Sequence, residues 1–232
     1  MSAPRRQEIT RLEGFSDAVF GFALTLLVVS LDVPRSYAEL MDLMGGFLSF
    51  ACCFALLLWI WHEHNTFFRR YGLQDGVTVL LNGCLLFTVL FYVYPLKFMF
   101  DSLFARWMPM RNNPEPMQLF QLANTSAIYA LGFIVMMAMF VLLYTRAHAK
   151  RRELGLTELD VFDLNALRGH HLVSVAVGLV SLAIALWAPL NWVPLAPAAL
   201  GLMGPGHTLW AIRHNKARRA LAAPLSQTPA VL

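Results

Sequence analysis
The residues of this chain that could do chemistry gather at the edges of apolar stretches. Arg11-Leu12-Glu13-Gly14-Phe15-Ser16-Asp17 opens an uncharged run from Ala18 to Leu31. An acid at the mouth of a membrane-crossing helix costs free energy unless it is paired. The cost is up to about 2.5–3.5 kcal/mol at the bilayer centre and less at the edge. Two uses fit. Asp17 can complement the dipole of a helix N-terminus, or Ser16 and Asp17 can clamp this helix to its neighbours beside a pathway. A second group, Trp59-Ile60-Trp61-His62-Glu63-His64, closes the next apolar run. Histidines two apart diverge by about 200° on a helix, so His62 and His64 cannot chelate one metal together. The spacing is not that of the His-Glu-x-x-His zinc motif either. His62 is a candidate titrating group near neutral pH or an interfacial histidine facing headgroups. His170-His171, beside Arg168, and His207 read as interfacial or packing residues rather than ligands. Asp160 and Asp163 read as solvated acids of a connecting loop. No phosphate-binding loop, nucleophile elbow or intramembrane carboxylate pair occurs, so neither an enzyme nor a cofactor is expected.

The elements that must position these groups are membrane helices. Hydrophobic residues make up 58% of the 232 and charged ones 14%, against about 45–50% and 25% in soluble domains. A spanning helix needs about 20 mostly apolar residues. Six windows qualify: 14–33, 44–62, 77–99, 125–145, 169–188 and 192–212. The sixth holds Pro194, Pro197 and Gly204-Pro205-Gly206, which predict a bend or early end. The expectation is an all-α, polytopic membrane protein: one six-helix domain over 1–232 with a basic, flexible tail at 213–232. Five further windows and no small-residue cleavage site argue against a cleaved leader at the N-terminus.

Lys and Arg set the orientation. With the N-terminus inside, 14 of the 18 fall in inner segments, among them Arg5, Arg6, Arg69, Arg70, Arg146, Lys150, Arg151, Arg152, Arg213 and Lys216. The outer segments hold only Arg35, Lys97, Arg106 and Arg111. This bias predicts both termini in the cytoplasm and explains the net charge of +4 without nucleic acid. The outer loop 100–124, with Phe104, Trp107, Pro114 and Pro116, is expected along the interface. Cys52, Cys53 and Cys84 lie within apolar runs and read as packing residues.

On the first helix Phe22, Thr25, Leu26 and Val29 recur at i, i+3, i+4, i+7 and share one face. Asp17 points about 140° away from Phe22. The stripe is either a lipid-facing or packed surface, or the lining of a path with Asp17 turned to neighbouring helices.

The pattern Arg11, Phe15, Ser16, Asp17, followed by Ala18-Val19-Phe20 and Thr25-Leu26-Leu27-Val28, resembles the signature of the endolysosomal potassium-channel family of the transmembrane protein 175 type. The length and six-span layout resemble a bacterial member, which implies the bacterial inner membrane. The resemblance implies a homotetramer in which the first helix of each subunit lines a central pore. It implies a constriction of apolar side chains at Phe22 and Val29, with Thr25 one turn beyond the first. Phe22 departs from the family's usual isoleucine or leucine, so a ring of four would be bulkier. The resemblance also implies a polar network at the inner pore end joining Arg11, Phe15, Ser16 and Asp17 to His62, preferred over His64, and to Asn82. The chain lacks the Thr-Val-Gly-Tyr-Gly filter run.

The function expected is thus a potassium-selective or weakly selective cation channel, with K+ permeant and membrane lipid, monovalent cations and further copies of the chain as partners. The alternative is a proton-conducting or ion-coupled transporter. Transporters carry ionisable groups near the midplane and inverted repeats, and the centres of these windows hold almost none.

Overall fold
The structure is a computed structural model that describes residues 9–31, 33–104 and 117–222. Arg5, Arg6, Arg106, Trp107, Arg111, Pro114, Pro116 and the tail beyond 222 lie outside the described residues. In chain order the helices are α1 (Arg11–Val29), α2 (Tyr37–Gly45), α3 (Phe47–Tyr71), α4 (Gly76–Phe104), α5 (Leu119–Ala149), α6 (Glu158–Trp187), α7 (Leu195–Ala199) and α8 (Met203–Ala222). There is no strand among the described residues. The chain divides into two compact units, Met1–Gln118 and Leu119–Leu232.

In the first unit α1, α3 and α4 pack against one another. Thr10 starts α1 through a capping box: its hydroxyl accepts from Glu13 N (3.2 Å) and Glu13 Oε2 accepts from Thr10 N (2.6 Å). Pro34 follows the end of the helix. The short helix α2 carries Ser36 as its N-cap and precedes α3, so the second apolar window, 44–62, is broken at Gly46. The interior is apolar and in part small: Ala23 and Leu27 of α1, Cys53 and Phe67 of α3, and Leu85 and Val89 of α4 are buried. Small side chains let helices approach closely where lipid provides no hydrophobic drive between them.

In the second unit α6 lies against α5 and against α7 and α8. Gly169 of α6 receives the ring of Trp210, and a Cβ there would overlap it. The indole Nε1 of Trp210 donates to Ala166 O at 2.9 Å. Ser174 Oγ and His207 Nε2 lie 2.9 Å apart, and Ser181 Oγ donates to Ala196 O at 2.8 Å. The window 192–212 is not one rod: two 3-10 turns, Leu190–Trp192 and Leu200–Leu202, alternate with α7 and α8. Its prolines cannot donate along a helix ladder. Among the described residues five helices, α1, α3, α4, α5 and α6, are long and apolar enough to cross a membrane.

The helices outrun their apolar windows. α3 continues to Tyr71, α5 to Ala149, and α6 begins at Glu158. A hydropathy window reports only the stretch that suits hydrocarbon. Charged turns beyond it stay helical when capped, and Thr157 and Asp160 form such a box at α6. The two acids that read as solvated loop residues are therefore engaged. Asp160 caps α6, and Asp163 accepts from Arg218 Nε at 2.8 Å.

Candidate functional site: the two faces of α1
Glu13, Ser16, Phe20, Ala23 and Leu27 of α1 are buried. They recur at i, i+3, i+7, i+10, i+14 and form one stripe along the helix. The opposite side is exposed among the described residues. Arg11, Phe15, Ala18, Phe22, Thr25 and Val29 lie along it, with Phe22 66% and Val29 68% exposed. Leu26 stands at its margin, half-buried. The Thr25 hydroxyl donates to Gly21 O at 2.9 Å. Its proton is therefore held by the helix, and the oxygen lone pairs remain directed outward.

The buried stripe is fixed by a directional chain of hydrogen bonds. The Ser16 hydroxyl donates to Leu12 O (2.8 Å), and Asn82 Nδ2 donates to Ser16 Oγ (2.9 Å). Asn82 Oδ1 lies 2.7 Å from His64 Nε2, so in this arrangement His64 donates from Nε2. One side chain each from α1, α4 and α3 is thereby joined in an interior where an unmade bond costs about 1–3 kcal/mol, although the buried Nδ1 of His64 finds no partner among the described residues. Rings enclose the imidazole: Phe20 edge-on at 5.4 Å between centroids, and Phe68 at 4.5 Å. Asp17 stands beside this chain of groups and accepts from Trp61 Nε1 at 2.8 Å.

The structure brings Ser16 and Asn82 together, but the histidine on Asn82 is His64, and His62 is exposed. The preference for His62 is corrected on helical geometry. Leu57, Ile60, His64, Phe67 and Tyr71 share the buried face of α3, and a residue two positions before His64 points about 200° from it. That apolar series is readable in the sequence and selects His64. Trp61, as partner of Asp17, has no signal in the sequence, because tertiary contact alone pairs them. Phe15 and Arg11 are exposed on the uncovered side of the helix. Among the described residues no cluster of three His, Cys, Asp or Glu side chains could hold a metal ion.

A family model for the endosomal/lysosomal potassium channel TMEM175 matches residues 11–92, which span the whole of the site just described. A potassium channel of Marivirga tractuosa is 38% identical over 192 residues, covering 80% of this chain and 78% of that protein. The chain belongs to the TMEM175 potassium-channel family. The family is one of channels, not enzymes. A crystal structure of the potassium channel MtTMEM175, a threonine-to-alanine variant bound to a nanobody–MBP fusion, superposes with a TM-score of 0.81. It is 33% identical, with 93% of this chain and 99% of that one covered. A homologue, from Chamaesiphon minutus, of the lysosomal potassium-selective channel TMEM175 shares the fold, with a TM-score of 0.58 at 24% identity over 88% of this chain and 97% of that one. This member of the TMEM175 family is thus an all-helical membrane protein, and its matched region coincides with the packed helices α1, α3 and α4.

Proposed function
We propose that four copies of this TMEM175-family chain form a cation channel that favours K+ over other monovalent cations, with α1 of each copy facing a common axis. The observation that carries this reading is the pair of faces on α1. One is locked to α3 and α4 through Ser16, Asn82 and His64, and the other leaves Phe22, Thr25 and Val29 exposed among the described residues. A single helix per subunit closes a ring only in an oligomer. That the relatives are potassium channels supports the cargo.

In this reading Phe22 and Val29 form apolar rings that exclude water, and a cation sheds part of its hydration shell to pass. K+ holds its shell less tightly than Na+, so such a ring favours K+, less sharply than a cage of carbonyls. The outward lone pairs of Thr25 offer oxygen between the rings. Arg11, Phe15, Ser16, Asp17 and Asn82, with His64 in the place expected of His62, hold the inner end. The segmented stretch 192–212 makes the sixth crossing, and both termini lie on the cytoplasmic side of a bacterial inner membrane, as the distribution of Lys and Arg supports. No cofactor enters this mechanism.

The test is ion flux into liposomes holding the purified protein, with K+ and Na+ gradients imposed in turn. Flux driven by K+ alone and altered by substitution at Phe22 supports the channel. Flux that requires a second solute or a proton gradient would establish the transporter instead.

A further inference from the structure
The turn between α5 and α6 is built more firmly than a connector needs. α5 ends at Ala149, and residues 150–156 close on themselves. Gly155 N donates to Arg152 O (3.2 Å), and Leu156 N donates to Arg151 O (3.0 Å). Gly155 sits at φ +60, in the left-handed region that closes such a cap. One residue after Leu156, Thr157 begins α6 with its own capping box. Both ends are therefore capped, and the backbone of Arg151 and Arg152 is held in place.

Those two arginines line a shallow, open cleft of about 340 Å³ with Leu156, Val161 and Glu158. Nearby charges are already engaged. Lys150 Nζ pairs with Glu153 at 2.7 Å, and Arg151 donates from one guanidinium nitrogen to His148 O at 3.1 Å. That bond leaves the other donors of Arg151 available and fixes its fork. Arg152 is exposed. Two guanidinium groups against one carboxylate give the cleft a net positive charge, and its remaining walls are aliphatic. Planar guanidinium donors match phosphate oxygens in pairs. The turn joins two helices long and apolar enough to cross a membrane, so it lies between two crossings, on one side of the bilayer where anionic lipids are presented.

We infer that this cleft binds a phosphate group, of the kind an anionic phospholipid presents beside the acyl chains. Arg151 and Arg152 take the phosphate oxygens, Leu156 and Val161 take the adjoining glycerol and upper chain, and Glu158 weakens the attraction. The inference does not depend on conduction and is read by binding.

The full chain in uncharged detergent is titrated with dioctanoylphosphatidylglycerol, with dioctanoylglycerol, which lacks the phosphate, and with inorganic phosphate, while the thermal unfolding midpoint is followed. Phosphatidylglycerol is expected to raise the midpoint saturably and dioctanoylglycerol to leave it unchanged. Arg152→Gln weakens the apparent affinity by roughly tenfold, as for loss of a charge-assisted hydrogen bond. Arg152→Lys recovers part of it, and Glu158→Gln strengthens it. Arg213→Gln with Lys216→Gln removes more charge elsewhere and is expected to have no effect. A saturable shift with inorganic phosphate equal to that of the lipid identifies free phosphate as the source and keeps the site. The inference is overturned if no phosphate-bearing ligand gives a saturable shift, or if the Arg213/Lys216 pair weakens binding as much as Arg152→Gln. Because Arg152 is exposed, its variants keep the unliganded midpoint, which separates lost binding from lost folding.

Discussion
Asn82 Nδ2 donates to Ser16 Oγ across 2.9 Å, tying the third long helix of the chain to the first. The same side chain reaches His64 with its oxygen, so one amide fixes two helices against α4. This is what turns α1 so that one stripe is buried and the other left bare.

Replacing Asn82 by Leu removes both bonds and strands buried polar atoms of Ser16 and His64. A destabilisation of about 2–4 kcal/mol is expected, from two groups at roughly 1–3 kcal/mol each with partial relaxation. The check is the chemical or thermal unfolding midpoint in detergent. His64→Ala should fall in the same direction. His62→Ala should stay within about 0.5 kcal/mol of the parent, as for a surface position. Equal losses for the two histidines would contradict the assignment of His64.

Trp61 and Asp17 should behave as a coupled pair. Trp61→Phe removes the donor and Asp17→Ala the acceptor, and the double variant should lose less than the sum. A coupling energy of roughly 0.5–1.5 kcal/mol is expected for one hydrogen bond to a charged, solvent-accessible group. Strict additivity would mean the 2.8 Å contact contributes nothing to stability.

Phe22→Asn keeps a side chain of moderate size at the proposed constriction but hydrates it. Cation flux should rise by roughly tenfold, corresponding to about 1.4 kcal/mol of barrier, and discrimination between K+ and Na+ should fall. Flux in liposomes under each gradient measures both. Unchanged rates and selectivity would remove Phe22 from the conduction path.

Gly169→Ala should destabilise the second unit by about 1–3 kcal/mol, because the added methyl group drives the Trp210 ring from its seat. Tryptophan fluorescence should shift with it. Combining it with Trp210→Ala should cost less than the two changes summed, since the smaller side chain leaves room.

Much of this architecture is legible in residue order. Apolar runs of spanning length, the sidedness of Lys and Arg, and the Arg-x-x-x-Phe-Ser-Asp opening depend only on composition and local spacing, and these identify a helical membrane chain of the right family. The stripe Phe22, Thr25, Val29 follows from helical period alone. Residue order does not say where α3 ends, because a hydropathy window stops at His62 while the helix runs on to Tyr71. The break at Gly46, the segmentation of 190–212 beyond its proline signals, and the firmness of the turn around Gly155 are likewise properties of backbone hydrogen bonding.

What residue order determined by itself, then, was what a period or a solvent preference governs: helix, five of the six apolar windows, and which side chains share a face. Which face is buried, and by what, was decided only in three dimensions. Period leaves the rotation of a helix about its axis undetermined, and here that rotation is set by partners distant in sequence, Asn82 for Ser16 and Trp61 for Asp17.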